Sequence, residues 1–318
     1  MVQVDLITGF LGAGKTTFLR KYVHWLNARG QRVCILENDF GAVNVDVMLL
    51  QDLLGDNCDI ETITGGCDCD THQRRMRTKL ISLAMQGFDR VLVEPSGIFD
   101  VDEFYDVLRD EPLDRWYTLG NVIAIVDALL ETQLSPQGEY LLASEAASAG
   151  MVLMSRYQLA APGQAEATLA HLNRALEACH CARRFAADTD ALCKPWDALT
   201  DADMQRLDSC GHCQASYVKL HFDEHKAFTS LYFMELHLTL PQLQDAAQAL
   251  FADPACGHIL RIKGFLQTVD GWCELNATRD TMHVEAIPDG QEVLIIIGEE
   301  LDRSAIEAHI GQKTADQE

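Results

Sequence analysis

The stretch TGFLGAGKTT, Thr8 to Thr17, decides how the rest of this sequence is read. A short apolar run, Val2 to Ile7, leads into it, and a segment of helical character, Phe18 to Ala28, follows. Gly9 to Thr16 spells G-x-x-x-x-G-K-T, the pattern of a phosphate-cradling P-loop in its strand–loop–helix setting. Glycines let successive backbone N–H groups turn inward as an anion nest. Lys15 reaches the terminal phosphates, and the Thr16 hydroxyl is suited to Mg²⁺. The helix that follows adds its positive N-terminal end. A nucleoside triphosphate is therefore expected on Gly9, Gly12, Ala13, Gly14, Lys15, Thr16 and Thr17.

Outward from the P-loop, short buried runs end in polar segments. Val33 to Leu36 runs into Glu37-Asn38-Asp39-Phe40-Gly41, and Ile60 to Ile63 into Thr64-Gly65-Gly66-Cys67-Asp68-Cys69-Asp70. Val91 to Val93 leads to Glu94-Pro95-Ser96-Gly97, Val122 to Val126 to Asp127, and Met151 to Met154 to Ser155-Arg156-Tyr157-Gln158. Continuous apolar runs of this kind belong to parallel sheets, whose strands place ligands at their carboxyl ends. Helices are expected at Val47 to Leu54, at Thr71 to Gln86 with its basic Arg74, Arg75, Arg77 and Lys79, and from Pro162 to about Ala178. The alternation predicts an α/β fold, a doubly wound, mostly parallel P-loop NTPase sheet, over residues 1–180.

Residues 181–214 lack a clear period and read as a cysteine-containing connector with a short helix near Asp201 to Leu207. Beyond it the pattern predicts a smaller α+β domain over 215–318. Its strands are expected at Ser216–Phe222, Phe228–Leu240, His258–Thr268, Trp272–Ala277, His283–Ile287 and Val293–Ile297, and its helices at Pro241–Phe251 and Asp302–Ile310.

The 318 residues suffice for two sizeable cores, and 48% apolar with 23% charged residues is ordinary for a globular protein. A formal net charge of −23 argues against a nucleic-acid partner. No apolar stretch approaches the roughly 20 residues of a membrane span. With eleven cysteines and no leader before the first strand, the chain reads as cytoplasmic, with thiols free for metal.

Three further groups carry chemistry. An acidic residue at a strand end supports Mg²⁺ in P-loop NTPases, which points to Glu94, and Gly97 can offer an N–H to the γ-phosphate. Cys67 and Cys69 in extended backbone point to one side and offer two thiolates to one ion, with Asp70, Glu37 or Asp39 adding oxygen; this donor set suits Zn²⁺ or Co²⁺. Cys210-Gly-His-Cys213 has zinc-site spacing with His212, His221, His225 and Cys179-His-Cys181 nearby; it reads first as a polar connector with reduced cysteines, with a second metal site as the alternative. The basic face of Thr71 to Gln86 reads as a solvated helix face or a partner contact.

Taken together, GFLGAGKTT, Glu37-Asn-Asp-Phe-Gly41, Gly65-Gly-Cys-Asp-Cys-Asp70 and Glu94 to Gly97 resemble the CobW-type family of P-loop GTPases, the metallochaperone and metal-insertion proteins. Arg261-Ile-Lys-Gly264 and Val293 to Leu301 resemble its C-terminal domain. The chain departs from the family pattern at Asp70, where the family has a third cysteine, and at Ser155-Arg-Tyr-Gln158, where it has Asn-Lys-x-Asp for guanine. The resemblance implies a GTPase that couples hydrolysis to holding and delivering a divalent metal, zinc first, to a client metalloprotein. By that reading Lys15, Asp39 and Glu94 are catalytic, and Thr16 and Glu94 hold Mg²⁺. Glu37, Cys67, Cys69 and Asp70 hold the cargo, and Ser155, Arg156 and Gln158 face the base. A homodimer stays open. The competing readings are a P-loop kinase for a small molecule and a non-hydrolytic metal-binding regulator.

Overall fold

The computed structural model describes residues 1–39, 50–64, 69–95, 101–220, 227–287 and 289–311, with backbone alone at 38, 39, 64, 69, 70, 102 and 103. These residues form two compact units, which divide between 220 and 227.

The first unit is built on seven parallel strands in the order β3-β2-β4-β1-β5-β6-β7. They are β1 (Val2–Thr8), β2 (Val33–Asp39), β3 (Cys58–Thr64), β4 (Arg90–Glu94), β5 (Tyr117–Asp127), β6 (Met151–Ser155) and β7 (Ala191–Leu192). Helices α1 (Lys15–Asn27), α2 (Cys69–Ala84), α3 (Val101–Arg109), α4 (Leu113–Trp116), α5 (Pro136–Ala147), α6 (Gln164–Ala178) and α7 (Asp201–Asp208) alternate with them. All five residues of β4 and of β6 are buried, as expected of strands covered on both faces. Because each pair runs parallel, every carboxyl end lies on one edge. The order reverses about β1, with β4 on one side and β5 on the other, and this is where α/β sheets open a crevice for ligands.

The opposite edge is closed by a buried ionic cluster. Asp5 is fully buried and accepts from Arg90 Nη1 at 2.8 Å and from the Asn121 N–H at 2.7 Å. Arg90 also donates to Tyr22 Oη at 2.7 Å and pairs with Asp208 of α7. Tyr22 donates to Asp208 at 2.8 Å, and burial, then Asp5, pushes its hydroxyl far above the usual range for tyrosine.

The second unit is an antiparallel sheet in the order β11-β10-β9-β12-β8. Its strands are β8 (Thr229–Met234), β9 (His258–Thr268), β10 (Gly271–Ala277), β11 (Met282–Ile287) and β12 (Val293–Glu299). Helices α8 (Leu240–Ala252) and α9 (Arg303–Ile310) cover one face. Along β12 the period of two is plain: Leu294 and Ile296 join the core under the helices, whereas Val293 and Ile295 pack on the other face with Phe265. Gly264 of β9 lies so close to α8 that a Cβ there would stand 2.5 Å from Leu243 Cδ2.

The parallel sheet of the first unit is as expected, but several other expectations are corrected. Residues 181–214, read as a connector, supply β7 and α7, and Leu192, Met204 and Leu207 pack in one core with Phe18 and Tyr22. Ser216 to Leu220 is not a strand; Val218 and Leu220 are exposed, and the Val218 N–H bonds the Cys179 carbonyl at 2.8 Å. The strand expected over Phe228–Leu240 ends at Met234 because Glu235 and His237 take left-handed backbone, φ 53° and 49°. Helix α6 begins at Gln164, after Gly163 at φ 83°, rather than at Pro162. Of Val47–Leu54, the described part is a 3₁₀ turn at Gln51–Leu53. Among the described residues no helix is long and apolar enough to cross a membrane.

Removing one partner from a buried ion pair strands the other charge, which costs about 3–5 kcal/mol. Arg90→Met is therefore expected to lower the unfolding free energy of the first unit by that amount, read as a fall in the denaturant midpoint; an unchanged midpoint would contradict the role given to the cluster.

Candidate functional site

The P-loop joins β1 to α1. Gly9 sits at φ 142°, where a Cβ would stand 2.3 Å from the Ile125 carbonyl oxygen, so only glycine lets the loop pass β5. Gly12 and Gly14 take φ 76° and 99°, and Gly14 caps α1. Ala13 is buried, its N–H bonded to the Phe10 carbonyl at 3.0 Å, and Thr17 is exposed on the first turn of α1. Lys15 is only 8% exposed, and its ammonium donates to the Gly9 carbonyl at 2.8 Å. The side chain thus lies along the loop, where phosphates are held in this motif.

Thr16 and Glu94, the pair expected to hold Mg²⁺, are hydrogen-bonded: the hydroxyl donates to Glu94 Oε1 at 2.8 Å, and the carboxylate is buried at the end of β4. Glu37 is likewise buried, and it is the register partner of Glu94 across β2 and β4. The two carboxylates, one expected for Mg²⁺ and one for the cargo metal, share a rung of the sheet. Asp39 ends β2 opposite Thr64 of β3. Cys67 and Gly97 lie outside the described residues. Cys69 and Asp70 are the first two residues of α2 rather than part of an extended segment. The loops concerned leave four neighbouring strands, β3, β2, β4 and β1, so three strand spacings, about 14 Å, separate the start of the cysteine loop from that of the P-loop.

On the other side of β1 stands the segment expected at the base. Ser155 ends β6 and is buried, and its Oγ has no hydrogen-bond partner among the described residues. Arg156, at φ 51°, pairs with Asp127 of β5 and donates to the Gly12 carbonyl at 3.1 Å, tying this segment to the P-loop. Gln158 is exposed in a 3₁₀ turn, Tyr157–Leu159.

The sequence reading missed three participants. Trp196 follows β7 and donates its indole N–H to the Met154 carbonyl at 2.8 Å. A Cβ on Gly14 would lie 3.4 Å from the Trp196 ring and 3.8 Å from Ser155 Cβ, so all three converge. Asp127 orients Arg156. Glu145 of α5 is buried behind the loop, with its carboxylate accepting the Gly9 N–H at 3.1 Å. Trp196 lies in the stretch without period, and nothing local marks Glu145.

The Trp196 segment is anchored in turn by Asp203, which caps α7 through Thr200 and accepts from Lys194 at 2.6 Å. Burial alone would raise this carboxyl; the hydrogen bonds from Lys194 and Thr200 outweigh it and hold it at about 2.

Among the described residues the cysteine-rich stretch brings no metal-compatible cluster together. Cys210 is a thiol directed at the Val122 and Gly211 carbonyls, pushed by burial to about 12. His212 Nδ1 faces the Gly120 carbonyl at 3.2 Å, and among the described residues no metal-compatible cluster includes Cys210 or Cys213. His221 and His225 lie outside the described residues. On α2, Lys79 pairs with Glu61 and Arg77 bonds the Glu111 carbonyl, which favours a solvated face.

A family model described as CobW/HypB/UreG, nucleotide-binding domain, matches residues 3–185, and one described as cobalamin synthesis protein cobW C-terminal domain matches residues 235–313. Over 137 residues the chain is 38% identical to the zinc chaperone YjiA of Escherichia coli (strain K12), a match covering 40% of this chain and 41% of that protein. Over 132 residues it is 30% identical to zinc-regulated GTPase metalloprotein activator 1 of Schizosaccharomyces pombe, covering 40% of this chain and 32% of that one. The match thus spans less than half the length of either relative. Among solved structures, the Zn(II)-bound YjiA GTPase from E. coli aligns over 98% of each chain at 21% identity and a TM-score of 0.37.

A hydrogen bond from a charged donor contributes about 1.5–3 kcal/mol, so Arg156→Ala is expected to weaken nucleotide binding roughly tenfold to a hundredfold, read by titrating a fluorescent nucleotide. A carboxyl held low when folded stabilises above its unfolded value of about 3.9, and that stability is lost as pH falls toward 2. Asp203→Asn should therefore flatten the melting-temperature profile between about pH 4 and pH 2; a profile as steep as that of the parent chain would contradict it.

Proposed function

The chain belongs to the CobW/HypB/UreG family of nucleotide-binding proteins, and from that membership we propose that it hydrolyses GTP and couples the hydrolysis to holding zinc and delivering it to a client metalloprotein in the cytoplasm. The observation that carries the reading is the shared rung of Glu37 and Glu94. Residues paired across adjacent strands stand about 5 Å apart, a separation at which two carboxylate charges would repel by roughly 3 kcal/mol at an effective dielectric of about 20. A cation at either one relieves that repulsion and so alters what the other binds. This is the magnitude that couplings between sites reach, about 1–3 kcal/mol.

In this reading Lys15 and the backbone amides of Gly12 to Thr17 hold the phosphates, and Gly97 adds an N–H to the γ-phosphate. Thr16 and Glu94 hold Mg²⁺; a hydroxyl and a carboxylate 2.8 Å apart are the hard oxygen donors that magnesium takes. When bound, Mg²⁺ neutralises charge developing on the β- and γ-phosphates. Asp39 orders the attacking water. Ser155, Arg156 and Gln158 line the base side, where the buried Ser155 hydroxyl is available to a ring or exocyclic group. Glu37, Cys67, Cys69 and Asp70 hold the cargo, a mixed sulfur and oxygen set that suits Zn²⁺, or Co²⁺ in its place. Loss of the γ-phosphate then changes the order of the segments that carry those ligands, a recognised mode of switching. What YjiA and its fission-yeast counterpart are called, a zinc chaperone and a zinc-regulated GTPase, supports the same assignment.

Phosphate release from GTP, followed with and without one equivalent of zinc, tests the coupling. Zinc is expected to change the rate in the parent chain, and Cys67→Ser to abolish that response. Turnover indifferent to zinc in both chains would overturn the coupling, and phosphate appearing on an acceptor rather than in solution would favour a kinase.

A further inference from the structure

The second unit carries a cluster that the GTPase reading does not use. Asp253 caps the C-terminal end of α8, Cys256 closes the 3₁₀ turn Pro254–Cys256, and His309 lies in the last turn of α9. One ligand atom from each, a carboxylate oxygen, Sγ and an imidazole nitrogen, lies within 4.8 Å of the other two. We propose that Asp253, Cys256 and His309 form a separate site for a borderline divalent cation, Zn²⁺ or Co²⁺, with one coordination position left open.

The local structure aims all three at one point. Asp253 uses Oδ1 to accept the Ala255 N–H at 2.9 Å, which turns Oδ2 toward His309 Nε2, 2.8 Å away. Cys256 is fully buried in the core beneath α8 and α9, so its Sγ forms the floor. Ile306 and Ile310 of α9 enter the same core, and that helical phase leaves His309 half-buried at the rim. Gly257, at φ 89°, lets the chain pass the Glu300 carbonyl, where a Cβ would approach to 2.4 Å.

Neighbouring groups are already committed. The Asp302 carboxylate caps α9 through the Ala305 N–H at 2.9 Å and bonds Ser304, and His258 pairs with Glu299 at 3.0 Å. Among the described residues three protein donors therefore remain. A sulfur, a nitrogen and an oxygen suit zinc, and three ligands rather than four are the mark of a site whose fourth position takes water or an incoming ligand. Such a site loads and unloads more readily than a closed structural one. Binding converts the Cys256 thiol to a metal-bound thiolate and releases its proton to solvent.

A plain ion pair between Asp253 and His309, with Cys256 as core filler, makes different predictions. The test uses Co²⁺ on the full chain carrying Cys67→Ser and Cys69→Ser, so that its outcome is independent of the cargo site proposed above. One equivalent of Co²⁺ is expected to give a thiolate-to-cobalt charge-transfer band that Zn²⁺ bleaches. Adding Cys256→Ser should remove the band. His309→Gln keeps a hydrogen-bonding partner for Asp253 at the rim and should weaken Co²⁺ binding at least tenfold with an unchanged melting temperature in the absence of metal; it decides the matter if Cys256→Ser fails to fold. A band that survives Cys256→Ser, an affinity unaltered in His309→Gln, or no band in the starting chain would overturn the site.

Discussion

Two buried carboxylates on one rung of a parallel sheet set the terms for the first unit. Glu37 and Glu94 are register partners, each in a strand that is otherwise apolar at its centre. Buried acids are costly unless cations or hydrogen bonds meet them. Thr16 brings a hydroxyl to Glu94 from the first turn of α1, and α1 begins where it does because Gly14 takes a left-handed conformation at its cap. The position of the phosphate loop and that of the acids are thus one arrangement. It exists because parallel pairing sends all the strand ends to the same edge, which antiparallel pairing does not do.

How much of this was legible depended on how local the chemistry was. The P-loop, the acid at the end of β4 and the runs that became β1 to β6 could be read because each is a short pattern whose residues explain one another. Trp196 and Lys194 could not, although the short helix that became α7 was expected. Strand β7 is two residues long, too short for any periodicity, and the rest of that stretch is held by single side chains: Trp196 on a carbonyl of β6, Lys194 on Asp203, Leu207 in the core. Arg156 was read toward the base, yet it is fixed by Asp127, nearly thirty residues earlier. At Ser216 to Leu220 an alternating pattern misled, because alternation records which residues are apolar and not whether a sheet edge is there to receive them.

The second unit was more legible, since β9, β10, β11 and β12 form antiparallel pairs with clear alternation. Its errors were at ends: the chain leaves β8 through two left-handed residues that no propensity marks. The grouping of Asp253 and Cys256 with His309 was beyond sequence reasoning for a different reason. Metal-site spacing is recognised within short motifs, and these residues meet only because α8 and α9 pack on the same face.

The cluster of Asp5, Arg90 and Asp208 also has a consequence in time. Asp5 and Arg90 belong to the first strands to be translated, whereas Asp208 follows Asp5 by roughly 200 residues, about 10–40 s at ordinary ribosomal rates. Until Asp208 emerges, a nascent chain carries the pair without its second carboxylate and the early strands without the covering that α7 provides. The nucleotide loop, complete by residue 17, therefore emerges long before the scaffold beneath it is sealed. For this protein the order of synthesis and the order of stabilisation run apart.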